Sequence, residues 1–179
     1  MRKIVIFGNS GSGKSTLAKE LCSQEKFAHL DLDTVAWQPA TPPVRENLVK
    51  SKKVIDKFLD EHRGWVIEGC YSDLIALVLD QATELYFLNP GVEACIENCK
   101  NRPWEPHKYA SIEKQNENLM MLIKWIQEYE SRNDEFSLKS HRKLFDEFDR
   151  KKTEYRSNNR NTLPIIAGDR LTPAAEFKR

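Results

Sequence analysis

Short apolar blocks alternate with helically spaced apolar residues through the first hundred positions. Ile4-Val5-Ile6-Phe7 is an unbroken run, as expected of a strand covered on both faces, and predicts a strand over Lys3 to Phe7. Leu17, Ala18, Leu21 and Cys22 then share one face of a helix that starts at Lys14. The alternation continues with a strand over Ala28 to Leu32, a helix near Arg45 to Glu61, a strand over Trp65 to Ile67 and a short helix over Ser72 to Leu79. A strand over Leu85 to Leu88 and a helix over Val92 to Asn101 complete it. Strands and helices in turn predict an α/β domain: a parallel sheet, helices on both faces, right-handed crossovers, and ligands at the carboxyl ends of the strands.

The second half is less regular and more charged. Asn101 to Ser111, with Arg102, Pro103, His107 and Lys108, suits a mobile loop better than a strand. Leu119, Leu122, Ile123, Ile126 and Tyr129 keep helical spacing and predict one long amphipathic helix over Ile112 to Tyr129. Two segments compete to be the last strand. Phe136-Ser137-Leu138, with Ser140 capping a helix through Leu144, Phe145 and Phe148, is preferred over Leu163 to Ala167. Charge and asparagine over Lys151 to Asn161 read as the start of a tail. The expected organisation is a domain over 1–150, a lid region at about 101–112, and a C-terminal segment over 151–179, extended or partly disordered.

Composition removes several function classes. A chain of 179 residues fits one domain, and 28 basic against 27 acidic residues leave a net charge of +1. That balance offers no global field for nucleic acid or an anionic membrane. No apolar run approaches the ~20 residues of a membrane span. The chain enters a strand at once instead of offering a charged leader, so a cytoplasmic location is expected. Cys22, Cys70, Cys95 and Cys99 contain no C-x-x-C pair and are expected to be reduced, with Cys95 and Cys99 buried on one helix face. No motif speaks to oligomeric state.

The chemistry gathers between the first strand and the first helix. Gly8-Asn9-Ser10-Gly11-Ser12-Gly13-Lys14-Ser15 reads G-x-x-x-x-G-K-S, a phosphate-binding loop. Glycines let the backbone wrap close to phosphate oxygens, so that its N–H groups and a helix N-terminus converge on the negative charge. Lys14 adds a point charge toward the β- and γ-phosphates, Ser15 offers a hydroxyl to Mg²⁺, and Thr16 is placed for a further phosphate bond. Two strand ends supply carboxylates. His29-Leu30-Asp31-Leu32-Asp33 carries acids two apart, projecting to one side of a strand, and Trp65-Val66-Ile67-Glu68-Gly69 places an acid at the end of the third strand, as metal-holding acids are placed in nucleotide-binding folds.

GNSGSGKST at 8–16, LDLD at 30–33 and WVIEGCY at 65–71 together resemble P-loop kinases of the adenylate kinase and shikimate kinase type. Within that group the chain is most similar to bacterial DNA topology modulation proteins, whose third strand reads close to W-V-I-D-G-N-Y. The resemblance implies a three-layer α/β/α P-loop NTPase fold with a five-stranded parallel sheet and a helical lid region, using ATP and Mg²⁺. It implies Asp31 on the metal side with Glu68, and Asp33 as the base for an acceptor hydroxyl. Arg45, Gly69 and Tyr71 would contact the acceptor, and Arg102 would be the catalytic arginine of a lid that also carries Lys100 and Lys108. Arg132 and Arg142 are weaker lid candidates, and Trp37, Tyr71 and Trp104 are candidates to line the acceptor pocket. The triple-glycine segment of shikimate kinases is missing. Ser72 and Asp73 stand where nucleoside monophosphate kinases carry proline and arginine, which argues against a nucleotide acceptor.

The expected function is transfer of the γ-phosphoryl group of ATP to a small-molecule acceptor. The alternative is a nucleotide-dependent regulatory or nucleic-acid-associated protein with weak ATPase activity, its basic residues between Arg150 and Arg160 forming a local patch.

Overall fold

The computed structural model describes residues 1–40, 42–105 and 110–159. The first apolar run is β1 (Lys3–Gly8), and it leads through the glycine-rich turn into α1 (Lys14–Glu25). The chain continues through β2 (Ala28–Asp31), α2 (Asp33–Ala36), the short antiparallel pair β3 (Trp37–Gln38) and β4 (Val44–Arg45), α3 (Leu48–Glu61) and β5 (Trp65–Gly69). After α4 (Ser72–Ala76) and a 3₁₀ turn at Leu79–Gln81 come β6 (Glu84–Leu88) and α5 (Val92–Asn101). The rest is α6 (Ile112–Glu117), α7 (Leu119–Gln127), a 3₁₀ turn at Glu128–Glu130, α8 (Leu138–Glu147) and β7 (Lys151–Tyr155).

Five of these strands form one parallel sheet in the order β2-β5-β1-β6-β7. The central strand, β1, is buried on both sides, and its side chains divide the core. Val5 and Phe7 pack with Leu32, Ile55, Leu59, Ile67, Leu74 and Phe87 in the larger cluster, while Ile4 and Ile6 pack with Leu17, Ala18, Val66 and Leu88 on the opposite face. Helices therefore cover both faces, and the architecture is the expected three-layer α/β/α arrangement.

The fifth strand is not where the hydropathy pattern put it. Phe136 and Ser137 form a turn, and the cap of α8 is Ser137, whose Oγ accepts a hydrogen bond from the Ser140 N–H at 3.0 Å. The strand is Lys151–Tyr155, in the stretch expected to begin a tail, and it pairs with β6 over its whole length. As an edge strand it fully buries only Thr153, so polar residues occupy the other positions without cost. Arg150 just before it and Lys152 within it donate to backbone carbonyls: Arg150 to Leu79, Asp80 and Ala82, and Lys152 to Phe145 and Asp146. The competing strand at 163–167, Lys108 and most of the C-terminal segment lie outside the described residues.

Three smaller boundaries also differ. The long helix over 112–129 is interrupted at Asn118 and closes in a 3₁₀ turn. The second long helix begins at Leu48, because the Asn47 side chain accepts the Val49 N–H at 2.8 Å and caps it there. Arg45 consequently sits on β4, outside the helix.

Candidate functional site

Glycine geometry shapes the turn after β1. Gly11 and Gly13 have φ of +75° and +95°, where a side chain would be strained. A Cβ on Gly8 would lie 2.1 Å from the Leu88 carbonyl oxygen, and one on Gly11 would lie 2.4 Å from that of Cys95. The loop is thus wedged between β6 and α5, and only glycine fits at both contacts. Its own polar groups are tied down on several sides. Asn9 accepts the Ser10 N–H through Oδ1 and donates through Nδ2 to the Ile126 carbonyl on α7, while Asn98 of α5 donates to the Gly11 carbonyl at 2.7 Å. Lys14, the first residue of α1, is almost fully buried and donates from Nζ to the Asn9 carbonyl at 2.8 Å.

A cleft of about 280 Å³ opens over this loop at the carboxyl ends of β1, β2 and β5. Ser10, Gly11, Gly13, Lys14, Ser15 and Thr16 form its floor, and Asp31, Asp33, Glu68 and Gly69 form one wall. Asn98, Cys99, Arg102, Glu105 and Leu122 close the other. The two acids of the LDLD segment meet here by a route different from strand alternation. The strand ends at Asp31, whose Oδ1 accepts the Asp33 N–H at 2.9 Å, and Leu32 N–H donates to the Glu68 carbonyl at 2.9 Å. Asp33 then opens α2. Gly69 is needed for that turn to fit: a Cβ there would come within 2.9 Å of Leu32 Cβ.

Glu68 is the buried charge of the site, with 2 % of its surface exposed. Burial pushes its carboxyl up, but His29, Lys14 and Ser15 together outweigh that and hold it below the ordinary carboxylate value. Its Oε1 makes no hydrogen bond and stands 3.7 Å from His29 Nε2. An ionised, buried carboxylate oxygen without a hydrogen-bond donor, beside a serine hydroxyl and a phosphate loop, fits a Mg²⁺ ion reached directly or through its water shell. Among the described residues no group of three or more His, Cys, Asp or Glu side chains forms a cage for a metal ion. A cation here would lean on Ser15, Asp31 or Glu68, and phosphate oxygens, as Mg²⁺ does in nucleotide sites.

The residues expected on the acceptor side are arranged differently. Tyr71 is 3 % exposed and lies behind the cleft wall, where its hydroxyl donates to Asp33 Oδ1 at 2.6 Å. Trp37 donates to that same hydroxyl from Nε1 at 2.6 Å. Arg45 lies outside the cleft lining: its guanidinium stacks 4.8 Å from the Tyr71 ring centre, donates to Asp73 at 2.7 Å and faces Glu135 at 3.6 Å. Arg132 lies 3.6 Å from the Trp125 ring centre and donates to Asp134. Arg142 pairs with Glu154 at 2.6 Å. Arg102 does face the cleft, 3.1 Å from Glu105, whereas Trp104 does not line it.

Asn98, Cys99, Glu105 and Leu122 are cleft residues that no sequence motif marks. They come from α5, from the segment after it and from α7, which reach the loop only through tertiary packing. The cysteines are free as expected, and Cys95 and Cys99 pack with Ile126 against the loop.

No protein-family model matches the chain, and no curated protein matches it. Among solved structures, a sugar kinase from a Janibacter species is similar at 12% identity and a TM-score of 0.48, over 87% of this chain and 84% of that one. A gluconokinase from Sinorhizobium meliloti is similar at 15% identity and a TM-score of 0.47, over 86% and 82%. An uncharacterized protein from Eubacterium ventriosum is similar at 16% identity and a TM-score of 0.45, over 86% and 89%.

Proposed function

We propose that the chain is an ATP-dependent phosphotransferase acting on a small hydroxyl-bearing acceptor. One observation carries the reading: Asp31, Asp33 and Glu68 line the same cleft as Lys14 and Ser15, above a glycine-built loop. A site that only held nucleotide would need the loop and a metal-side acid; Asp33 at the same cleft supplies a base for a second substrate.

In this reading the backbone N–H groups of residues 8–16 hold the phosphates of ATP, with Lys14 leaving the Asn9 carbonyl to reach the β- and γ-phosphate oxygens. Ser15, with Asp31 and Glu68 nearby, would hold Mg²⁺, which would supply neutralisation of the phosphate charge. The acceptor oxygen forms a bond to the γ-phosphorus while the bond from that phosphorus to the β-bridging oxygen breaks. The hydroxyl proton passes to the Asp33 carboxylate, and ADP leaves with the electron pair of the broken bond. Arg102 stabilises charge on the group in transit.

Among the described residues of the basic stretch, Arg150 and Lys152 donate to backbone carbonyls and Lys151 and Arg156 pair with Glu84 and Glu154, and no observation favours the regulatory, nucleic-acid-associated alternative. The deciding experiment is ADP release measured with Mg-ATP across sugars, cyclic polyols, nucleosides and nucleotides. Release dependent on one acceptor, with a phosphorylated product seen by mass spectrometry, is the expected outcome. Equal slow release with every compound would defeat the transferase reading.

A further inference from the structure

Asp33 is held by a line of hydrogen bonds that runs away from the cleft. Tyr71 stands between Trp37 and Asp33, 2.6 Å from each partner. An indole N–H can only donate, so Trp37 must give its proton to the Tyr71 oxygen, and the Tyr71 proton is left for Asp33 Oδ1. Burial, with Cys70 and Asp33 close by, holds the phenol protonated far above its ordinary range, so it remains a donor at any working pH. The ring that carries this donor is fixed as well. Arg45 covers one side, anchored by Asp73 of α4 and by Glu135, and Phe136 meets it edge-on with ring centres 5.3 Å apart. Neither Trp37 nor Tyr71 is among the residues that line the cleft.

We propose that Trp37 and Tyr71 are positioning residues that act through Asp33: the donated phenol hydrogen bond pins Oδ1 and fixes the plane of the carboxylate against the acceptor. This deepens the transferase reading and rests on Asp33 as the acceptor base. The torsion that orients a carboxylate is intrinsically broad, so a hydrogen bond held on one oxygen narrows the directions in which the other is presented. A charge-assisted O–H···O⁻ bond is among the stronger hydrogen bonds available for narrowing that range. Lys14 from α1, Asp31 from β2, and Glu68 and Cys70 from β5 and its exit share this neighbourhood and are unchanged in the variants below.

The test is steady-state transfer kinetics on the full chain, with folding checked by urea unfolding. Tyr71→Phe keeps the ring and removes the donor. It is expected to lower kcat about 10- to 100-fold, with the KM for ATP within about twofold. Trp37→Phe lowers kcat by less, and in an Asp33→Asn background Tyr71→Phe has no further effect on transfer. An unchanged kcat in folded Tyr71→Phe, or an equal loss when Asp33 is already Asn, overturns the proposal. If that variant does not fold, an unchanged kcat in Trp37→Phe overturns it equally. A wild type that phosphorylates no acceptor overturns the transferase reading, whereas an active wild type with unaffected variants overturns the positioning role alone.

Discussion

The two halves of the cleft are built from different materials. Its floor is backbone: eight consecutive residues, three of them glycine, whose N–H groups need no particular side chain to face a phosphate. The acceptor side is assembled from side chains far apart in sequence. Trp37 and Tyr71 are 34 positions apart, Tyr71 and Asp33 38, and Arg45 and Asp73 28. A phosphate chain is the same in every nucleotide, so a local, generic cradle suffices for it. An acceptor differs from one phosphotransferase to the next, and the aromatic and guanidinium groups gathered behind Asp33 lie outside the loop.

Breaking the floor should have the largest effect. Lys14→Ala removes the ammonium of the loop sequence itself and is expected to cut ATP turnover by about 10³-fold or more, with unliganded melting nearly unchanged. Isothermal titration with ATP and an ADP-release assay check it. Asp33→Asn should separate the two sides, lowering transfer about 10²- to 10³-fold while ATP affinity stays within about twofold, checked by the same two measurements.

The third effect is on stability and lies between the two sides. His141 is fully buried, its Nδ1 2.7 Å from the Tyr129 hydroxyl and its Nε2 2.9 Å from the Cys70 carbonyl just after β5. Burial outweighs the hydrogen bond to Cys70 and pulls its pKa down to about 4, so the folded chain keeps it neutral where the unfolded chain protonates it. The stability this contributes is complete above about pH 6.5 and is lost as the pH falls toward 4, by ~3 kcal/mol at most. Urea unfolding at pH 7 and 5.5, above the range in which the carboxylates titrate, should show that loss in the wild type and a smaller one in His141→Gln.

The smallest effect is expected at the opposite end of the sheet. Burial raises the Glu84 carboxyl, but Arg2, Tyr86 and Lys151 more than compensate and hold it at about 2. Its contribution is present above the ordinary value of 4.5 and disappears as the pH drops toward 2. Glu84→Gln should cost about 1.5 kcal/mol at pH 7, read by urea unfolding, and leave ATP binding unchanged.

The phosphate loop and the order of the main strands and long helices through Asn101 were legible because each is local, whereas α2 and the β3–β4 pair are too short to show a period of their own. A run such as Ile4 to Phe7 and the spacing of Leu17, Ala18 and Leu21 state their own secondary structure. Glu68 was legible as an acid ending an apolar strand. The fifth strand was not, because an edge position lets Lys151, Lys152 and Glu154 occupy a strand without apolar alternation. Arg45 was misplaced for a related reason. Its partners Asp73 and Glu135 are brought to it by α4 and the approach to α8, and no spacing in the sequence records that encounter. Tyr71 was legible as an aromatic beside the site, yet its burial and its bond to Asp33 depend on packing against Phe136.

Asn9 ties the phosphate loop to the carbonyl of Ile126, and the preceding residue, Trp125, lies against Arg132. The chain therefore carries an intrinsic fluorophore one residue from the loop's anchor point. Substituting phenylalanine for Trp37, Trp65 and Trp104 would leave Trp125 as the sole indole emitter, and its emission maximum should shift on ATP addition. Loading of the loop could then be followed in real time without a label.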